Sequence, residues 1–203
     1  METVERPRAR PYISRRWSDR KAEGNDGLAT GTDARRISRL VEAARSGDRE
    51  AFAELYRVHH AAVYRLARFS LPVAVVEDAV ADTFLRAWSG LATYRDTGAP
   101  FAAWLYGIAR HVVADVHRAA ARVDPSREVP EDARSFDQQE TDRVVLAEAI
   151  RQLPDDQRHV IELKFLAGLP NPDVARALGK SIGAINALQW RAIANLRRIL
   201  GEA

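Results

Sequence analysis

From Arg35 onward the apolar residues of this chain recur at three- and four-residue spacing, the period of an α-helix with one buried face. Ile37, Leu40, Val41 and Ala44 share such a face until Gly47 interrupts it. Asp48 is placed to cap a second helix carrying Phe52, Leu55, Tyr56, Val63, Leu66 and Ala67. Pro72 breaks that run, and Val76, Val80, Phe84, Leu85 and Trp88 mark a third helix. Residues 90–99 read as a loop. Pro100 suits the first turn of a fourth helix, with Trp104, Leu105, Ile108, Val112 and Val116 inward. The spacing thus predicts a small four-helix bundle over residues 35–120.

Periodicity is lost at residues 121–139, where Pro125 and Pro130 fall. Between Arg122 and Arg143 there are seven acidic and four basic residues, so this stretch reads as a flexible acidic linker. A second domain follows over 140–203. Val144, Val145, Ala149 and Ile150 suggest its first helix, ended near Leu153 and Pro154. Asp155 is placed to cap a second, which carries Val160, Ile161, Leu163 and Phe165 to a stop at Gly168. Residues 171–190 then fit a helix-turn-helix. Asn171 is expected to cap, with Pro172 at the first helical position and Asp173 near the N-terminus. Gly179 stands at the turn, where a left-handed conformation favours glycine, and Ser181 caps the next helix. Ile185 and Leu188 return against Val174 and Leu178, and small Ala175 lets the helices cross closely.

The last helix, residues 182–200, buries Ile182, Ile185, Leu188, Ala192, Leu196 and Ile199. That leaves Asn186, Gln189, Trp190, Arg191, Arg197 and Arg198 outward. Amides pair with base edges in the major groove, and arginines reach phosphates or base edges. Trp190 has two readings of equal weight, a stack on sugar or a thymine methyl and a packing contact on the linker or a neighbouring helix.

Composition narrows the function classes. Of 31 basic residues only Lys21, Lys164 and Lys180 are lysine, and 28 acidic residues leave a net charge of +3. Codon bias explains most of the arginine excess, so charge alone is a weak nucleic-acid signal. Residues 1–34 are read as a flexible basic arm. Cysteine is absent, which excludes disulfides and thiol catalysis, and five scattered histidines give no metal-site spacing. No cofactor is expected. No apolar run is long enough to span a membrane, and a cytoplasmic protein is expected.

Several ordered segments together resemble the extracytoplasmic-function (ECF) sigma factors of the bacterial sigma-70 family. They are AFAELYRVHHAAVYRLA at 51–67, VEDAVADTFLRAW at 76–88, FAAWLYGIARHVVADVHRAAAR at 101–122, LPDDQRHVIELKFLAGL at 153–169 and DVARALGKSIGAINALQWRAIANLRRIL at 173–200. The resemblance implies an all-α fold of two small helical domains. It implies an initiation factor without catalysis of its own. Core RNA polymerase would be met at its β′ clamp helices and β flap, promoter DNA at the −10 and −35 elements. An anti-sigma factor is a further implied partner.

Asp78, Asp82 and Arg86 match the segment that docks on the clamp helices, with Phe84 and Trp88 serving the core. Tyr94, Arg95 and Asp96 match the loop that captures an unstacked −10 base. Arg110, His111, His117, Arg118 and Arg122 lie on the helix that reads the upstream −10 edge. Ser181, Asn186, Gln189, Trp190, Arg191, Arg197 and Arg198 fall in the −35 reader. The chain departs from the family at Ala81, often Gln, at His111, often Asn, at Asn186, often Lys or Arg, and in the prolines flanking Asn171. Two other readings compete. A helix-turn-helix regulator that does not join polymerase accounts for 171–200 but not for the aromatic run at 84–106. A helical interaction module without a DNA role leaves the outward Asn186, Gln189 and Arg191 series unexplained. Enzymatic activity has no acid–base or metal constellation behind it.

Overall fold

The computed structural model describes residues 31–123 and 138–201. The bulk of the basic arm and of the acidic linker lies outside the described residues. Among the described residues eight α-helices follow one another: α1 (Gly31–Arg45), α2 (Arg49–Ser70), α3 (Val76–Gly90), α4 (Phe101–Val123), α5 (Gln138–Arg151), α6 (Asp155–Ile161), α7 (Asn171–Leu178) and α8 (Ile182–Ile199). Among the described residues there is no strand.

The first domain is the bundle α1–α4. The Asp48 carboxylate accepts from the amides of Glu50 and Ala51 and starts α2 where expected. Leu55, Val63, Leu66, Leu71, Val76, Val80 and Val112 are buried in its centre. Phe52 stands edge-on to Trp88 with ring centroids 4.9 Å apart, and Phe84 lies beneath Tyr56 at 4.5 Å. Leu85 departs from the expected inward face. It is 66% exposed, because α3 has only α2 and α4 beside it and position 85 points away from both.

His59 is packed on Phe101 with its Nε2 buried and unpartnered, and burial pushes its pKa down to about 4. His159 in the second domain is lowered to about 4, chiefly by burial and by the charges of Arg110 and Arg158. The folded chain therefore holds both neutral where the unfolded chain protonates them near pH 6.5. Stability is full above that value and is lost as pH falls from 6.5 toward 4, by up to about 3 kcal/mol for His59. Melting followed by circular dichroism should show Tm dropping across this window, and His59→Phe should flatten the drop.

In the second domain, α6 gives way to one π-helical turn over Glu162–Leu166, closed by the Ala167 amide on the Glu162 carbonyl. Asp155 does not cap α6. Pro154 occupies the N-cap position, its carbonyl taking the Gln157 and Arg158 amides, and the Asp155 carboxylate pairs with Arg158 instead. α7 and α8 form the predicted helix-turn-helix. Gly179 is left-handed at φ 61°, Ser181 Oγ accepts from the Ala184 amide, and Val174, Ala175, Ile185 and Leu188 are buried at the crossing. Ile182 of the expected stripe is instead 43% exposed, since it opens α8 before the helix has reached α7. Val144 and Val145 are likewise exposed, while Ala149 and Ile150 one to two turns later are buried.

The two domains pack on each other. Phe69 at the end of α2 joins Ile150, Leu153, Ile161 and Ala192 in a shared apolar cluster. The Arg65 guanidinium donates to the Leu166 carbonyl at 3.2 Å and Arg143 to the Phe69 carbonyl at 2.6 Å. Arg110 on α4 meets Glu162 on the π turn at 3.2 Å, with the Glu162 side chain 12% exposed.

Candidate functional site

Three surfaces carry the outward chemistry. The first is α3. Glu77 and Asp78 lie in its first turn, where carboxylates complement the helix dipole, and both are exposed. One turn on, Asp82 makes a two-pronged bond with Arg86, at 3.0 Å from Nε and 2.7 Å from Nη2. Arg86 also donates at 2.7 Å to Asp115 of α4, so its guanidinium clamps two helices. Those two carboxylates hold the Arg86 pKa above its ordinary value, and Arg86 in turn leads the lowering of the Asp115 carboxyl. Asp82 and Arg86 are both 43% exposed, and with exposed Leu85 they frame a mixed acidic and apolar face.

The second surface is the loop between α3 and α4 with the α4 side beyond it. Here the structure corrects the expectation for Tyr94. Its ring stands edge-on to Phe101 and Trp104, with centroids at 5.7 and 5.0 Å, and it is buried. Burial, then the Asp96 charge, push its phenol up to about 12. Tyr94 is a pillar under the loop and offers no open face to a base. Arg95 and Asp96 are exposed above it, and the Asp96 carboxylate accepts from the Gly98 amide at 2.9 Å, which shapes the turn.

The basic side expected on α4 is reduced. Arg110 is engaged with Glu162 across the domain seam, and Arg118 pairs with Asp115. His111 Nδ1 donates to the Gly107 carbonyl, and burial leads the lowering of its pKa. His117 is lowered too, by burial and then by Arg151. Both histidines are therefore neutral at pH 7. Arg122 is exposed and has no ion pair among the described residues.

The third surface is the outward face of α8. Asn186, Trp190, Arg191, Arg197 and Arg198 are exposed and Gln189 is half-buried. Trp190 is 74% exposed, which excludes packing on a described neighbouring helix. The three arginines form no ion pair among the described residues, so their charge is available to an anion. Sequence reasoning missed two side chains here. Asn171 is not the cap of α7, because Pro170 occupies that position in extended geometry. Its amide reaches α8 instead, 2.6 Å from Asn186 Oδ1, and is itself held by Lys164 at 2.6 Å. The signal available in the sequence was the pair of prolines around Asn171, which restrict its backbone and so the root of its side chain.

The sigma-70 region 2 family matches residues 55–123 and the sigma-70 region 4 family residues 143–196, the two domains carrying these surfaces. The chain is 35% identical over 183 residues to the ECF RNA polymerase sigma factor BldN of Streptomyces coelicolor, across 86% of this chain and 69% of BldN. It is 34% identical over 175 residues to the ECF RNA polymerase sigma factor SigD of Mycobacterium tuberculosis, across 80% and 82%. The chain is an ECF sigma factor. A solved structure of CnrH in complex with the cytosolic domain of CnrY is similar at a TM-score of 0.58 and 32% identity, covering 83% of this chain and 98% of that one. Among the described residues of this sigma factor no helix is long and apolar enough to cross a membrane. No group of three or more His, Asp or Glu side chains among them is arranged to hold a metal ion.

Proposed function

We propose that this sigma factor docks on core RNA polymerase through the α3 face of Asp78, Asp82 and Arg86, and reads the −35 element with α8. The loop at Arg95 and Asp96 holds an extruded −10 base. It acts on DNA in the cytoplasm and performs no chemical step of its own. The observation that carries the reading is the presence, on one chain, of an acidic region 2 helix face and, on the region 4 recognition helix, an exposed face of amides and of arginines that have no ion pair among the described residues. A regulator that works without polymerase has no use for the first. The β flap is the expected partner of the second domain. CnrH is seen with the cytosolic domain of CnrY, and a protein partner of this chain, an anti-sigma factor, fits two small domains that already share a seam.

Promoter melting tests this reading. Core polymerase with the wild-type chain should make −10 thymines reactive to permanganate, and core alone should not. Alanine at Arg95 and Asp96 should lower that reactivity about tenfold, as for loss of roughly 1–2 kcal/mol of hold on an unstacked base. Closed-complex binding should be unchanged. Tyr94→Ala should act differently, lowering the thermal stability of the free chain because it empties an aromatic core position. Normal melting by the Arg95 and Asp96 variants would remove the loop from the mechanism.

Base readers and phosphate anchors on α8 should separate in a second measurement. Gln189→Ala should weaken holoenzyme binding by roughly 1–3 kcal/mol at one −35 base pair and relax the preference there. Arg197→Ala should weaken binding to all sequences alike and reduce the salt slope by about one. The readout is holoenzyme binding to single-base −35 variants at several salt concentrations. Equal effects of both substitutions on every variant would refute the division of labour.

A further inference from the structure

The amides of α8 do not choose their own orientation. Lys164 Nζ lies 2.6 Å from Asn171 Oδ1. An ammonium has three donors and no acceptor, so the Asn171 oxygen must face it and the Asn171 NH2 must point the other way, toward α8. That NH2 donates to Asn186 Oδ1 at 2.6 Å and, more weakly, to Gln189 Oε1 at 3.4 Å. A donor meets only an oxygen, so both α8 amides turn their oxygens inward. The relay has a direction because it begins at a group that cannot be flipped, and it leaves the NH2 groups of Asn186 and Gln189 outward. Pro170 and Pro172 limit the backbone at Asn171 and hold the relay in place.

We propose that Asn171, oriented by Lys164, is a positioning residue for −35 specificity. It presents the amides of Asn186 and Gln189 donor-outward, so that they read guanine. An amide that reads adenine uses both ends, its NH2 on N7 and its oxygen on the N6 amino group. With the oxygen turned inward the second bond is lost, and donor faces donor. Guanine offers two acceptors side by side, N7 and O6, which suit an outward NH2. Thymine offers O4 alone, and cytosine offers only its N4 donor. The expected order is guanine, then thymine, over adenine and cytosine. This rests on α8 being the −35 face, and it makes Asn171 a determinant of sequence preference that need not touch DNA.

The test uses holoenzyme assembled from core polymerase and the full chain, on DNA selected from a pool with a randomised −35 region. Binding is then measured to all four bases at each selected position. Wild type should favour guanine over adenine by roughly tenfold at the position that Gln189→Ala or Asn186→Ala makes indifferent. Asn171→Ala should bring that ratio close to one, because the freed amides can rotate and regain the adenine pairing. Lys164→Gln should relax it in the same direction, since an amide no longer dictates the Asn171 orientation. Lys164→Arg, which still only donates, should retain it. The Lys164 pair keeps the test decisive if Asn171→Ala folds poorly. Adenine or cytosine preferred at that position by wild type would overturn the proposal. So would a guanine-to-adenine ratio unmoved by Asn171→Ala and Lys164→Gln while Gln189→Ala erases it. The −35 reading itself would fall, and this inference with it, if no α8 substitution changed preference at any position.

Discussion

Replacing Asp78 and Asp82 with lysine should weaken binding to core polymerase by ten- to a hundredfold, about 1.4–2.8 kcal/mol, while lowering the Tm by only a few degrees, as expected for loss of one dipole contact and one helix-face ion pair, with the helix content retained. Both carboxylates are solvent-exposed or half-exposed on α3, and reversing their sign puts like charges against a surface that complements acid. Asp82→Lys removes one partner of Arg86, but Asp115 still holds it at 2.7 Å, so the α3 to α4 clamp survives. Arg86 itself is a poorer target. Its reversal would set a new carboxylate against Asp82 and Asp115 together and would mix a folding defect with a contact defect. The measurement is a fluorescence titration of labelled chain with core enzyme, at low and moderate salt. An affinity unchanged by the double substitution would remove α3 from the polymerase contact.

Arg110→Ala should part the two domains of the free chain. The Glu162 carboxyl is buried in the seam, and its pKa is raised by that burial, with Arg110 the foremost opposing charge. Without that guanidinium the carboxylate stays buried beside Tyr106, whose own hydroxyl has no partner, with Arg158 the remaining opposing charge. Breaking a buried pair from one side costs roughly 3–5 kcal/mol, and less here because Arg110 is about one-third open to solvent. That loss is set against a seam held by apolar residues of both domains together with two arginine-to-carbonyl bonds. Small-angle scattering should report a larger radius of gyration at pH 7.5. Replacing both partners with apolar residues, Arg110→Met with Glu162→Leu, should restore the compact form.

The pH dependence has a sign. A carboxyl whose pKa is raised on closure takes up a proton on closing, so the closed form gains as pH falls and loses that contribution as pH rises through the raised pKa. Arg110→Ala removes a lowering charge and should therefore re-close on acidification, before the histidine losses below pH 6.5 dominate. A variant as compact as wild type at pH 7.5 would show that the pair does not hold the seam.

Local signals carried well from sequence to structure. Asp48 and Ser181 cap as their residue types require, and Gly179 takes the left-handed turn. Pro72 ends one helix, and the Val174, Ile185 and Leu188 crossing follows from spacing alone. The misreadings arise where a residue's type points one way and the contacts it meets in the folded chain, or the lack of one, decide otherwise. Asn171 and Asp155 are good caps by type. A preceding proline took each N-cap position, and each side chain found a partner elsewhere, Lys164 and Arg158. Tyr94 looked like a loop aromatic because nothing in the sequence shows Phe101 and Trp104 closing beneath it. Leu85 has the periodicity of a core residue but no helix opposite it.

By itself the sequence determined the helical class, the two-domain division, the helix-turn-helix and the family, because these rest on 3.6-residue periodicity, breakers, caps and the order of segments. Only the tertiary structure decided which charges are available. Arg110 is consumed by Glu162, Arg118 by Asp115, and the α4 histidines are kept neutral by burial, whereas Arg191, Arg197 and Arg198 remain unpaired among the described residues. It also decided the orientation of the α8 amides. Their polarity is set by Lys164 and Asn171, respectively 22 and 15 positions before Asn186. Hydrogen-bond direction and burial depend on what lies across a contact in space, and residue type and spacing along one helix do not specify that.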